Sequence, residues 1–253
     1  MSDAASLHPL VAGFTDAATY DRGRPLYDEQ TAAVLGDGLG LSEGAPVLEL
    51  GPGTGQLSRA LLAAGFDLRA VEPLAGMREL LAQAIGAERV LAGVAEAIPL
   101  DDESVDAVVA ADSFHWFDET RAMPEIRRVL KPRGGVAILR SMPIMDEPWS
   151  EELGTILVAQ RPEHPAFGER GAAAALEDDD AFGAVSEAAV QTEWTIDREG
   201  ILALLASVSW VGTLPAQQRT ELLEKAAALL DRHEVEESRA PVTHQIWMAR
   251  LRG

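Results

Sequence analysis

The sequence contains no cysteine in 253 residues. That excludes a disulfide framework, a thiolate metal site and a cysteine nucleophile. Lysine is nearly absent as well, at Lys131 and Lys225 alone. Basic side chains number 21 against 41 acidic ones, for a net charge of −20 that is spread along the chain. A nucleic-acid binder ordinarily carries a basic footprint, so phosphate-rich partners and anionic membranes are disfavoured. No apolar run approaches about 18 residues, so no membrane span is expected. Met1 to Leu10 lacks a basic start followed by an apolar run, so no signal peptide is expected, and the chain reads as cytoplasmic. The histidines His8, His115, His164, His233 and His244 show no i, i+4 pairing. The acidic run Glu177–Asp180 lacks the glycine and spacing of a calcium loop, so no metal site is expected. There is no Gly-x-Ser-x-Gly elbow to support a hydrolase triad.

What is present is ordinary globular composition, 47% apolar and 25% charged, at a length that builds a full core. From Pro46 to Leu139, short apolar runs alternate with segments of helical period. The runs are Val47–Leu50, Leu68–Val71, Val90–Leu91, Val105–Ala111 and Gly135–Leu139; the segments are Thr54–Ala64, Leu74–Ile85 and Asp118–Leu130. This rhythm predicts a doubly wound, mostly parallel α/β sheet whose strands are buried on both faces. The first 45 residues read as helices over Leu10–Thr19 and Asp28–Leu39, flanking a turn. The last hundred read as a helix over Trp149–Gln160, a strand over Ala188–Thr195, helices over Glu199–Val208 and Ala216–Arg232, and a final strand over Val242–Leu251. Ala188, Val190, Thr192 and Trp194 share one face of the first of these strands. The divisions are 1–45 as a helical cap, 46–140 as the core and 141–253 as sheet edge plus covering helices, in one structural domain. The weakest stretch, Pro162–Asp180, includes the low-complexity runs Ala172–Ala175 and Glu177–Asp180.

The strongest local feature is Val47-Leu48-Glu49-Leu50-Gly51-Pro52-Gly53-Thr54-Gly55-Gln56-Leu57. It follows a strand and opens a helix. Glycines there let the backbone approach a ligand, and a helix N-terminus offers unpaired N–H groups. A dinucleotide fingerprint needs a sixth-position glycine, where Gln56 stands, and a P-loop needs a lysine that is absent. Glu72 ends the second strand, 21 residues beyond Gly51, where a carboxylate can accept two hydrogen bonds from a ribose diol.

The glycine run resembles motif I of the class I S-adenosylmethionine (SAM)-dependent methyltransferases. Glu72, Gly93-Val94-Ala95-Glu96-Ala97-Ile98-Pro99-Leu100, Asp106–Phe117 and Glu125–Gly135 extend the resemblance, which is to the type 11, small-molecule branch. It covers roughly residues 20–140 strongly. Pro124 departs from the pattern and is expected to kink or restart its helix. The resemblance implies a Rossmann-like methyltransferase fold of seven strands with an antiparallel edge, N-terminal helices and a helical lid. It implies SAM as cofactor, held by Glu49, Gly51, Pro52, Gly53, Thr54, Gly55, Leu57, Glu72, Pro73, Met77, Ala95, Glu96, Asp112 and Ser113. The segment Tyr20–Tyr27 is placed over the SAM pocket, with Arg24 preferred to Arg22 for pairing with the SAM carboxylate. The reaction implied is methyl transfer to a small molecule, with oxygen ahead of nitrogen or carbon as acceptor atom. A different SAM reaction such as cyclisation, or a non-catalytic SAM-binding module, stays open at this stage.

His115 falls just past the fourth strand, where open α/β sheets place ligands. It is the candidate general base, with pocket lining as the alternative. Tyr20, Trp116 and Trp210 are candidate substrate contacts, against ordinary packing. The net charge leaves a neutral or cationic acceptor as the easier partner, unless Arg22, Arg24 or Arg140 supplies a local positive field. A monomer or a homodimer is expected.

Overall fold

The computed structural model describes residues 7–159, 161–167 and 173–252. One seven-stranded sheet runs through the molecule in the order β3-β2-β1-β4-β5-β7-β6. Its strands are β1 (Pro46–Leu50), β2 (Asp67–Glu72), β3 (Val90–Ala92), β4 (Val105–Ala111), β5 (Leu130–Pro143), β6 (Ser186–Asp197) and β7 (Glu237–Arg250). The first five pair in parallel. β7 runs antiparallel between β5 and β6, which gives the expected antiparallel edge.

Helices cover both faces. On one, α2 (Glu29–Leu39), α3 (Ser58–Ala63) and α4 (Ala75–Ile85) bury Leu35, Leu61 and Leu81 against Val47, Leu68 and Val109. On the other, α5 (Glu119–Val129) and α7 (Ala174–Glu177) bury Ile126 and Leu176 against Leu48, Val108 and Ile138. Alternate residues of β1 and β4 thus feed two cores, which is why those strands read as unbroken apolar runs. A third cluster joins α6 (Pro148–Val158), α8 (Arg198–Ala206) and α10 (Ala216–Arg232) through Trp149, Ile201, Leu205 and Leu229. It stands over the carboxyl ends of the strands together with α9 (Ser209–Gly212) and the short α1 (Ala17–Arg22).

Several expectations are corrected. The first helix is not Leu10–Thr19: Pro9–Gly13 forms a single 3₁₀ turn, and α1 begins after Asp16. The Asp16 carboxylate accepts from the Ala18 and Thr19 N–H groups at 3.1 Å and so fixes the start. Tyr20 and Arg22 therefore lie on a helix rather than in a turn. Residues Thr54–Leu57 remain a series of turns, and α3 starts only at Ser58. Pro124 sits inside α5, which continues unbroken as one helix and is not restarted. The outer strands are longer than expected because β5, β6 and β7 pair with one another over most of their lengths. The expected inward face of β6, Ala188, Val190, Thr192 and Trp194, is the less exposed one. Gln160, Ala172 and Met1–Ser6, named in the sequence expectations, lie outside the described residues. Among the described residues no helix is long and apolar enough to cross a membrane.

Candidate active site

The strand order reverses between β1 and β4, and the crevice at that point is where open α/β sheets hold ligands. A cavity of about 340 Å³ opens there, roofed by the Pro9–Gly13 turn, α1 and α9. The volume is in the range of small-molecule sites.

The glycine turn builds one wall. Gly51 and Gly53 have φ of +65° and +60°, a region closed to most side chains. A Cβ at Gly51 would also meet the Ser113 side chain at 2.7 Å. Ser113 is buried there because its hydroxyl donates to the Leu50 carbonyl at 2.7 Å, tying the ends of β4 and β1 together. Gly51, Pro52, Gly53 and Leu57 line the cavity. Thr54 and Gly55 do not. Thr54 is fully buried and hydrogen-bonded to Gln56, and a Cβ at Gly55 would stand 2.8 Å from Leu81. Their places on the turn are structural: Gly55 admits α4, and Thr54 braces Gln56, which reaches Asp21 of α1.

Two of the carboxylates that line the cavity, Glu49 and Glu72, stand at the ends of β1 and β2. Glu72 accepts from the Gly53 and Leu74 N–H groups at 3.1 and 2.8 Å, so it holds the glycine turn and keeps lone pairs toward the cavity. Glu49 accepts from the Ser58 hydroxyl. Burial raises both to about 7. Pro73, Met77, Ala95 and Glu96 continue this wall, and Glu96 also accepts from the Asp118 N–H that opens α5. Glu96 belongs to a turn and not to the first turn of a helix.

Asp112 stands at the end of β4 with φ +50°. Its two oxygens accept from the Ser141 N–H and the Tyr27 hydroxyl, both at 2.9 Å. Behind them runs a chain with one consistent direction. Ser141 donates to the Tyr27 oxygen at 2.8 Å and accepts from His244 Nδ1 at 3.0 Å. His244 Nε2 in turn accepts from the Thr192 hydroxyl at 3.1 Å. His244 is fully buried and burial lowers its pKa, so the neutral ring this pattern needs is the favoured one.

The roof carries the aromatic groups. Tyr20 lies under the Arg24 guanidinium, 4.7 Å from its ring centroid. Arg24 donates to the Ser207 carbonyl at 3.0 Å, yet its Nε is buried with no partner. Arg22 points elsewhere, to Asp197 and Glu199 on the surface. Trp116 meets His8, Phe14 and His164 with ring centroids 4.8–5.8 Å apart, and Trp210 lies 5.3 Å from His164. Burial, with His164, Arg140 and His8 nearby, lowers His115 to about 3, so its imidazole is neutral at pH 7. The structure thus brings together all the expected site residues except Thr54 and Gly55. Tyr27, from the segment expected over the pocket, and Arg140, expected as a source of positive field, also line the cavity. The structure adds Phe14, Ser141, His164, Trp194 and Ser209, of which Trp194 carried a signal in the alternation of β6. No group of three or more candidate metal ligands occurs among the described residues.

Comparison with known proteins agrees with this architecture. A family profile described as Methyltransferase domain matches residues 48–138. An uncharacterized methyltransferase of Mycobacterium tuberculosis is 38% identical over 222 residues, covering 85% of this chain and 83% of that protein. An uncharacterized methyltransferase-like protein of Schizosaccharomyces pombe is 34% identical over 218 residues, covering 86% and 83%. A solved structure described as a type II methyltransferase, from Anaeromyxobacter dehalogenans, superposes with a TM-score of 0.64 at 25% identity over 90% of this chain and 97% of that one. The chain belongs to the SAM-dependent methyltransferase family. It is therefore an enzyme of class I methyltransferase fold, and SAM is the methyl donor that the family implies.

Proposed function

We propose that this enzyme methylates a small molecule, with oxygen as the favoured acceptor atom, and that SAM lies along the glycine-turn wall. The residues fit that cofactor. Glu72 offers acceptor lone pairs for a ribose diol, and Met77 and Ala95 offer an apolar bed for a base. Arg24 has a buried Nε without a partner, a vacancy suited to a carboxylate. When bound, SAM supplies an electrophilic methyl group on a sulfonium. The chain's own work is to orient the acceptor and to exclude water. The neutral His115 can accept a hydrogen bond from an acceptor hydroxyl and aim its oxygen, although its low pKa makes it a weak base. The sheet edge and helices of residues 141–253 cover the acceptor.

The observation that supports a small acceptor is the roof itself. Trp116, His164 and Trp210 close over a cavity with room for a small molecule, and no basic surface follows from the composition. Monomer or homodimer, and no nucleic-acid partner, complete the proposal. The test is ligand-induced stabilisation followed by transfer. SAM at 100 times its Kd should stabilise the fold by about 2.7 kcal/mol, read as a rise in Tm. Labelled methyl should then pass to a member of a small-molecule hydroxyl, amine and carbon-acid library. Absence of any shift with SAM or S-adenosylhomocysteine sinks the cofactor placement. Transfer only to protein or nucleic acid sinks the acceptor class.

A further inference from the structure

The lid half of the cavity narrows the acceptor further. The indole N–H of Trp210 is buried with no partner. That nitrogen only donates, and a buried donor without an acceptor is costly. Beside it, Ser209 is buried and lines the same cavity. His164 Nδ1 accepts from the Ala166 N–H at 3.1 Å, so its proton sits on Nε2 and is donated to Ser209 Oγ at 3.1 Å. The Ser209 hydroxyl proton is thereby left to donate to another group. The carboxylates lining the cavity, Glu49, Glu72, Glu96 and Asp112, all come from the strand ends and the turn after β3. Among the described residues the lid side contributes none, and Arg140 also lines the cavity. Trp116 and Trp194 also line the cavity.

We propose that the methyl acceptor is a hydroxylated aromatic carboxylic acid whose carboxylate is anchored by Trp210 Nε1 and the Ser209 hydroxyl. This rests on the methyl-donor placement proposed above. A carboxylate that receives two hydrogen bonds from buried donors is held in place and loses nucleophilicity. It serves as the anchor, and the hydroxyl remains for the reaction. An aromatic ring suits a cavity lined by Trp116, Trp194 and Trp210.

The test is isothermal titration of the protein saturated with S-adenosylhomocysteine. The probes are 4-hydroxycinnamate, its methyl ester and tyramine. The acid should bind at least about tenfold tighter than either of the others. Trp210→Phe keeps a ring but removes the N–H, and should weaken the acid about tenfold while moving the ester by less than about twofold. Ser209→Ala should weaken the acid in the same direction and guards against a packing defect at position 210. Equal or tighter binding of tyramine or of the ester overturns the proposal. So does wild-type affinity for the acid in both variants. Failure of S-adenosylhomocysteine itself to bind is a separate signature: it removes the donor placement, and this proposal with it.

Discussion

Glu49 is a carboxylate inside a buried parallel strand, 1% exposed, and it shows what a single residue can impose on a fold. Its pKa in the folded chain lies near 7, above its value in an unfolded chain. The folded state then holds the proton more tightly, so this group's contribution falls as pH rises from about 4.5 to about 7. Glu49→Gln should therefore raise Tm above pH 7 by the equivalent of about 1 kcal/mol or more, and hardly at pH 5. Thermal scans of the ligand-free pair at both pH values check this. His115 makes a second prediction. Because its ring is neutral and weakly basic, His115→Ala should raise KM for the acceptor about tenfold and lower kcat by less than that. A 10²-fold fall in kcat at unchanged KM would instead identify a base. The places of Gly51, Gly53, Glu49 and Glu72 on the crevice wall were legible because their pattern is local, written in spacing after a strand. Ser141 and His164 were not. Ser141 and His244 are 103 residues apart in sequence yet hydrogen-bonded, and no local pattern announces such a meeting. Thr54 and Gly55 lie off the cavity wall for the converse reason, since a motif position does not say which side of a turn a residue faces.

At the scale of elements, the alternation of apolar runs and helical segments specified the parallel half of the sheet, because both faces of each strand had to be buried. The N-terminal cap was harder to read. Leu10–Thr19 has helical composition, but Asp16 offers the backbone a better start, and the segment before it turns against α9. Pro124 gives the clearest element-level prediction. It is exposed and sits beyond the first turn of α5, where its ring denies the Thr120 carbonyl a donor. The helix survives because Asp118 caps it and Ala122, Met123 and Ile126 are buried against the sheet. Pro124→Ala should accordingly stabilise the protein by about 1–3 kcal/mol, readable as a higher urea midpoint at unchanged m-value. No change in midpoint would mean that this turn had already been distorted to suit proline.

At the scale of the whole molecule, the charge of −20 and the donor-rich lid act in opposite directions. The net field attracts cations and repels anions at long range, whereas the lid receives an anion at short range. Raising salt from about 20 to about 200 mM screens only the first effect. KM for an anionic acceptor should then fall severalfold while SAM binding weakens, and a matched neutral acceptor should hardly respond. Steady-state kinetics over that salt range would show it, and an anionic acceptor whose KM rises with salt would contradict it.

The contact between the cap and the lid has a further consequence. A Cβ on Gly13 would stand 1.8 Å from the Ser209 carbonyl oxygen, and one on Gly212 would stand 1.9 Å from that of Gly13. Backbone is pressed directly on backbone, with no side chain between them to slide or re-pack. The Pro9–Gly13 turn and α9 are thus locked together as one piece of the roof, and an alanine at either glycine would force them apart.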